Sequence, residues 1–402
     1  MTTSGTTPTP TNAPVFDEDP YSPEILADPI PFQRRLLEAG PVAYLSRYGV
    51  HVLARYDSVK AALSNWQDLI SGDGVGLNEP WRTTGLLESD PPRHDAPRDV
   101  LAGIMSARVL RSMTDECVRE AELVIDAIIA DHGSGTTVTF DGQRDIGAVL
   151  PVKFFGEAAG IDGTENMIPY ADHVFNVGGP RNELAIKGEA TAPALAEWAE
   201  HACQRESLKP RGFGSDIWAA ADRGDIRHDQ AALLTRSLVS AGIDTTVGSL
   251  SALLYAFAAN PEAWDAVRAD PALARVAFDE LLRWESPVQM DFRKTATEVT
   301  FGDTTIPAGE RVMICFGAAN RDPRRWENPD KFDLSRDPSG HLAFGMGIHQ
   351  CVGQHAARLQ AECLVRVLTD RFTSIELAGP VVRHLNNTLR GWESIPLKAV
   401  VA

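Results

Sequence analysis

Apolar residues recur along this chain at two spacings, and the change between them marks where strands give way to helices. In YGVHVLARY (48–56) apolar and polar residues alternate and β-branched side chains are frequent, which predicts a short strand or hairpin. The period then lengthens. ARVLRSMTDECVREAELVIDAIIADHG (107–133) places apolar residues at steps of three and four and ends on Gly133, as a capped amphipathic helix would. PEAWDAVRADPALARVAFDELLRWESP predicts two further helices, each opened or closed by proline. Strand signals return in VTFGDTTIPAGERVMICF, where PAG is a turn between two apolar runs, and in TLRGWESIPLKAV near the C-terminus. A mainly α chain follows, with a smaller β portion toward its two ends and no βαβ alternation to ask for a doubly wound sheet.

The 402 residues would allow two or three domains by length, yet no Gly/Ser-rich or Pro-rich linker interrupts them after the first twenty positions. We expect one domain over 19–402. MTTSGTTPTPTNAP has neither the basic nor the apolar region of a signal peptide, so 1–18 is expected to be a short disordered tail. Hydrophobic residues at 44% and charged residues at 23% suffice for a large core. The formal net charge of −17 argues against general binding to nucleic acid or anionic membranes. The most apolar stretch, 233–259, contains Arg236 and Asp244 and is better suited to a buried helix than to a membrane span. Cys117, Cys203, Cys315, Cys351 and Cys363 are odd in number and lack CxxC spacing, which fits free thiols in a reducing compartment such as the cytoplasm.

One cysteine stands in an unusual frame. Phe344, Gly345, Gly347, His349, Cys351 and Gly353 form F-G-x-G-x-H-x-C-x-G, followed by a helical run through Ala357 and Arg358. A lone cysteine is most often a small buried hydrophobe. His349 and Cys351 supply only two ligands for a zinc site, and neighbours in sequence rarely reach nucleophile–base geometry. The glycines favour another reading: they let the backbone turn tightly and approach a flat ligand, while a cysteine before a helix N-terminus meets amides that favour a thiolate. A thiolate beside a close flat ligand suggests haem.

This loop resembles the signature of the cytochrome P-450 family, the haem-thiolate monooxygenases, at the family's own spacing. The resemblance implies a cytochrome P-450 fold holding haem b between a long oxygen-side helix and the cysteine loop, with Cys351 as iron ligand and O2 as co-substrate. It implies that Glu280 and Arg283 of ELLRWESP, with Arg336 of NRDPRRWENPDKFDLSR, form a buried structural network. Read alone, that ExxR is a surface ion pair worth a few tenths of a kcal/mol. In SAGIDTT the resemblance assigns Asp244 to proton supply and Thr245 to oxygen activation, with Ala241 and Gly242 against the cofactor. The bland alternative is a threonine bonded back to the carbonyl four residues earlier. His94 and Arg98 of DPPRHDAPR, Arg293 of DFRKT and His349 are implied as partners of the haem propionates.

The resemblance is closest to the bacterial group that oxidises para-substituted benzoates, such as 4-methoxybenzoate demethylases, through GVGL, PWR, YADHVFN, RSLVSAGIDTT, ESPVQ, ANRDPRRW and NNTLRG. It implies that Arg82, Arg236 and Ser237 surround a substrate carboxylate, and that Phe175, Ala241, Val288 and Leu389 wall the pocket. An arginine and a hydroxyl suit that anion. Three positions depart from the group: Gly85 replaces a serine, Gly178 a second phenylalanine, and Asp291 an aromatic residue near the haem. The expected result is a larger pocket in which Asp291 accepts a hydrogen bond from a ring hydroxyl of the substrate, the alternative being a protein donor.

No ferredoxin cysteine spacing, flavin fingerprint or P-loop occurs in the sequence, so the resemblance implies electrons from NAD(P)H arriving through a flavoprotein reductase and an iron–sulfur ferredoxin. Arg108, Arg111 and Arg358 are candidates for a basic docking patch. Rival readings are oxidation of a phenol or terpenoid instead of an aromatic acid, a haem-binding sensor or carrier without turnover, a peroxide-driven relative, and a colourless thiol hydrolase using Cys351 and His349.

Overall fold

The computed structural model describes residues 12–78, 85–130 and 132–402. Its strands are β1 (Val15–Phe16), β2 (Ala43–Leu45), β3 (Val50–Leu53), β4 (Leu69–Ile70), β5 (Thr137–Asp141), β6 (Met290–Thr295), β7 (Val299–Phe301), β8 (Thr304–Ile306), β9 (Arg311–Cys315), β10 (Phe372–Leu377), β11 (Val382–Leu385), β12 (Arg390–Ser394) and β13 (Pro396–Val401). Helices form most of the rest, so the architecture is mainly α with a smaller β portion. The largest sheet runs β1-β2-β3-β9-β6-β4, a second β10-β13-β5, and β11-β12 and β7-β8 are hairpins. The alternating run 48–56 thus supplies β3, which β9 joins in parallel from across the chain.

Two sequence expectations need correction. The presumed tail is ordered before residue 18: Ala13 is buried, and Val15–Phe16 pairs with Tyr44–Leu45, because the open sheet edge offers ladder hydrogen bonds and Phe16 packs on Phe32, while Val15 stays exposed. The 107–133 run is not one helix. It breaks into Ala107–Arg111 and Thr114–Ile129 where the Ser112 hydroxyl donates to the Val109 carbonyl at 2.6 Å, and it ends short of Gly133 as Ala130 turns to extended ψ.

The cofactor-side elements sit between large apolar clusters. Helix Gln354–Arg371 packs against Thr114–Ile129 and Ala274–Glu285 through Leu364, Cys363, Val124 and Leu281. The apolar stretch after residue 228 forms Leu250, Leu253 and Phe257 of that same core, as a buried helix would. It is interrupted at Ile243 into His228–Gly242 and Asp244–Ala259, and on the N-terminal half Leu234, Leu238 and Val239 face a second cluster with Phe155 and Tyr170. The interruption has a local cause. Thr245 Oγ1 donates to the Ala241 carbonyl at 2.9 Å and Thr246 Oγ1 to the Gly242 carbonyl at 3.1 Å, so hydroxyls take acceptors that the helix ladder would otherwise use.

Candidate active site

The cysteine loop is built by backbone before any side chain acts. Gly345 and Gly347 adopt φ of 65° and 73°, the left-handed region, and a Cβ on Gly347 would run into the Leu63 carbonyl. These turns let the Cys351 amide donate to the Phe344 carbonyl at 2.8 Å and deliver the chain to helix Gln354–Arg371. Gly347 therefore makes room for a neighbouring backbone. At Cys351 burial pushes the thiol up, opposed by the amides of Gly353 and Gln354 and by Arg98 and Arg358. The chain alone favours a thiol, and a metal ion in the proton's place would convert it to thiolate.

The expected propionate partners converge from separate segments. His94 lies edge-on to His349 with ring centres 4.8 Å apart, and its Nε2 is 3.2 Å from the Ile348 carbonyl. Arg98 donates to the Gln350 carbonyl at 2.6 Å. Arg293 is close enough to act on His349, whose pKa is lowered first by burial and then, through charge, by Arg293 and His94, against Asp90. His349 Nε2 is buried and has no hydrogen-bond partner among the described residues, the nearest carboxylate being Asp90 at 3.9 Å. A buried imidazole nitrogen without a partner, flanked by two arginines, fits the acidic edge of a haem. Ala241 is exposed between buried Ser240 and Ile243, so a small side chain faces open space on the oxygen-side helix.

Gly242 has a different reason. A Cβ there would lie 2.6 Å from the Phe155 ring, so the absence of a side chain permits close approach of the helix Val149–Ala159.

The structural network assembles fully. Arg283 donates to Glu280 at 2.7 and 2.9 Å, and Arg336 joins at 3.1 Å, with Glu280 and Arg283 wholly buried. Arg283 also donates to the Asn320 carbonyl at 3.0 Å, and Asn320 Oδ1 accepts from the Leu342 amide at 2.7 Å. Through Leu342, whose carbonyl accepts from Gly345, the network reaches the cysteine loop.

On the opposite side, Val288 and Leu389 meet in an isolated antiparallel bridge, and the Phe175 carbonyl accepts from Thr388 Oγ1 at 2.9 Å, so three expected pocket walls adjoin. Gly178 closes against the loop 72–77, its carbonyl accepting from the Leu77 amide at 2.8 Å; a Cβ on Gly76 would approach that oxygen equally closely. The expected enlargement at Gly178 is thus partly filled by backbone. Gly85 sits at φ 82° against Leu233, a conformation that a serine would strain. Ser237 Oγ donates to the Leu234 carbonyl at 2.6 Å, and Arg236 lies near enough to Cys203 to act on it by charge. Arg82 lies outside the described residues.

Asp291 answers the question its position raised. Its carboxylate accepts from the Phe292 amide at 2.8 Å and from Arg293 Nη1 at 2.8 Å, a protein donor two residues along the same side of β6. The protein donor that was the alternative to a substrate hydroxyl is thus present, one bond to each carboxylate oxygen. Arg358 is engaged, donating to Asp279 at 2.8 Å and lying 4.6 Å over the Phe344 ring. It still lines, with Arg111, Arg275, His355 and Arg366, a groove of about 320 Å³, while Arg108 stands exposed one turn before Arg111.

Sequence reasoning missed a polar cluster on the far side of the oxygen-side helix. Asp172 accepts from His384 Nε2 at 2.7 Å, Asn386 Nδ2 at 2.8 Å and Asn176 Nδ2 at 3.1 Å. The paired asparagines of NNTLRG were the only local signal. Asp244 lies within reach of this cluster's charges, and its carboxyl is pushed up to about 7 by burial and then by Asp172, against His384.

A glycine-framed loop carrying Cys351 to the start of a long helix, an Asp-Thr pair at an interrupted helix, and basic residues drawn together from separate segments fit a haem-thiolate oxygenase. The comparisons agree. A family model described as Cytochrome P450 matches residues 204–378. The chain is 44% identical over 393 residues to "Cytochrome p450 CYP199A2" of Rhodopseudomonas palustris, covering 96% of this chain and 94% of that protein. It is 31% identical to the "Beta-dihydromenaquinone-9 omega-hydroxylase" of Mycobacterium bovis, over 93% of this chain and 77% of that one. The solved structure of cytochrome P450 CYP109Q5 from Chondromyces apiculatus superposes with TM-score 0.79 at 27% identity, covering 96% of this chain and 99% of that chain. The chain belongs to the cytochrome P450 family and is a monooxygenase of that family, which implies haem and O2.

Proposed function

We propose that this protein inserts one oxygen atom from O2 into a small aromatic carboxylate, O-demethylating or hydroxylating a substituted benzoate. The observation that carries the reading is that Ser237 and Ala241, four apart on the half-helix His228–Gly242, share a face, and that Thr245 Oγ1 reaches the Ala241 carbonyl at 2.9 Å across the interruption at Ile243. A hydroxyl able to meet a carboxylate and the oxygen-side threonine thus stand on either side of a bare alanine, which suits a small ring held at one end. Haem bound through Cys351 supplies activation of dioxygen, the thiolate favouring O–O cleavage.

The chain's own residues do the rest. His94, Arg98, Arg293 and His349 hold the propionate edge by charge and hydrogen bonds. Ser237, with Arg236 and Arg82 as the cationic partners, orients the acid by rotating its hydroxyl from the Leu234 carbonyl. Phe175, Val288 and Leu389 exclude water from the ring. Asp244, held near neutrality by burial, exchanges a proton under ordinary conditions and passes it toward Thr245 Oγ1. Electrons come from a ferredoxin served by a flavoprotein reductase, with Arg108 and the Arg111 groove as the basic surface it meets. The five free cysteines support a cytoplasmic setting.

Titration of the ferric holoprotein with 4-methoxybenzoate, 3-hydroxy-4-methoxybenzoate and the neutral 4-methoxytoluene tests the reading. We expect the acids to shift the Soret band at micromolar concentration and Ser237→Ala to weaken them about tenfold, the worth of one charged hydrogen bond. An equal response to 4-methoxytoluene would overturn the carboxylate reading.

A further inference from the structure

After β4 the chain leaves the largest sheet, and residues 71–78 belong to no strand or helix. Such a segment keeps one place only if its peptide groups find partners outside it. Arg311 supplies them. It stands on β9 opposite Lys294 of β6, whose other edge carries β4, and its guanidinium reaches across to the segment. Nη1 donates to the Gly74 and Gly76 carbonyls and Nη2 to the Asp73 carbonyl, each at 3.0 Å. The carbonyl between them, that of Val75, accepts from the Phe292 amide at 3.1 Å. Four successive carbonyls are thus bound by β6 and β9, three of them by one side chain, a task for which the planar fork of arginine is suited. The tie between Lys294 and Asp73 at 2.6 Å is half-exposed and adds little.

The far end of the segment lies on the end of the helix Met167–Val177. The Leu77 amide donates to the Gly178 carbonyl at 2.8 Å and Asn78 Nδ2 to the Gly179 carbonyl at 3.1 Å. Backbone meets backbone here, since a Cβ on Gly76 would lie 2.8 Å from the Gly178 oxygen and 3.2 Å from its Cα. Against Gly178 in turn lie the Phe175 carbonyl and the Thr388 hydroxyl, themselves joined at 2.9 Å, with Leu389 next in the chain. A line of contacts therefore runs from Arg311 through the segment to Phe175 and Leu389. We propose that Arg311 is a positioning residue that sets the size of the substrate: by holding residues 73–76 against Gly178 it keeps backbone in the space that a larger side chain at 178 would fill, and so restricts the pocket to small ring acids. The inference rests on the reading of that pocket as a benzoate site. Without the guanidinium three carbonyls lose their donor, and the segment gains by turning them to water and withdrawing from Gly178.

Two acids of different size test the proposal. Ferric holoprotein is titrated with 4-methoxybenzoate and with the bulkier 4-phenoxybenzoate, and binding is read from the Soret band. In Arg311→Met the smaller acid should bind more weakly while the larger one holds or tightens, moving the ratio of their Kd values at least about fivefold toward the larger acid. Amide hydrogen exchange over residues 72–78 should quicken at least about tenfold in the same variant, read by mass spectrometry. A merely structural arginine would weaken both acids alike; that result, or a moved ratio without faster exchange, overturns the proposal. Gly76→Ala forces the segment off Gly178 from the other side with Arg311 in place, and it decides the matter should Arg311→Met fail to fold. It should move the ratio the same way, and an unmoved ratio overturns the proposal. A parent protein that binds neither acid removes the benzoate reading and the proposal with it, whereas a parent that binds 4-methoxybenzoate beside variants of unmoved ratio overturns only the role of Arg311.

Discussion

Asp291 and Arg293 stand two residues apart on β6, and their carboxylate and guanidinium meet at 2.8 Å with Arg293 only 4% exposed. The arginine expected at the haem edge is thereby charge-balanced by the protein itself. Removing the carboxylate has opposite consequences with and without haem. In apoprotein, Asp291→Asn leaves a buried guanidinium uncompensated and should cost about 3 kcal/mol in urea unfolding; in holoprotein the propionate takes its place and the cost should fall below about 1 kcal/mol. Equal losses in both forms would show that Arg293 does not face the cofactor.

Gly242 answers to Phe155. Gly242→Ala would set a methyl 2.6 Å from the ring and should cost roughly 1–3 kcal/mol of overpacking. Adding Phe155→Leu should recover most of it in a double-mutant cycle, while the ferrous–carbonyl Soret band stays in place. Full additivity would place the strain elsewhere.

Glu280 and Arg283 have no solvent to fall back on. Arg283→Ala leaves a carboxylate of zero exposure with only Arg336 as cation and the Asp333 amide as a further donor, and a loss of about 3–5 kcal/mol with reduced haem content is expected from thermal melts and cofactor assay. Arg336→Ala, which leaves the bidentate Glu280–Arg283 pair intact, should cost less than half as much.

Glu285 makes the acid limb of stability. Burial would raise its carboxyl, but Arg390 and Arg383 hold it down at about 2. A depressed carboxylate stabilises above the unfolded value of 4.5 and loses that contribution as pH falls toward 2. Over this window unfolding free energy should drop by on the order of 3 kcal/mol through this group. The corresponding slope should be missing from Glu285→Gln.

Much of the fold and the oxygen-activating half of the site was legible because the signals are local. Gly345 and Gly347 must take positive φ whatever surrounds them, and Glu280 and Arg283 share a helix face by spacing alone. The helical period of 107–133 was read correctly, but its break at Ser112 depends on which acceptor a hydroxyl chooses, and the apolar pair at Val15–Phe16 needed a sheet edge that the chain supplies only at residue 44.

By itself the sequence determined the family. Cys351 with its glycine frame, Asp244 with Thr245, and the scattered basic residues carry the resemblance from which a thiolate-bound haem and a proton path are expected, since such motifs are local. Only the tertiary structure decided whom the remaining side chains answer to. It turned Gly242 toward Phe155, paired Asp291 with Arg293, and set Asp172 against His384, 212 residues away in the chain. Such pairings are fixed by how charge is desolvated once the helices and hairpins have packed, and no periodicity along the chain encodes that.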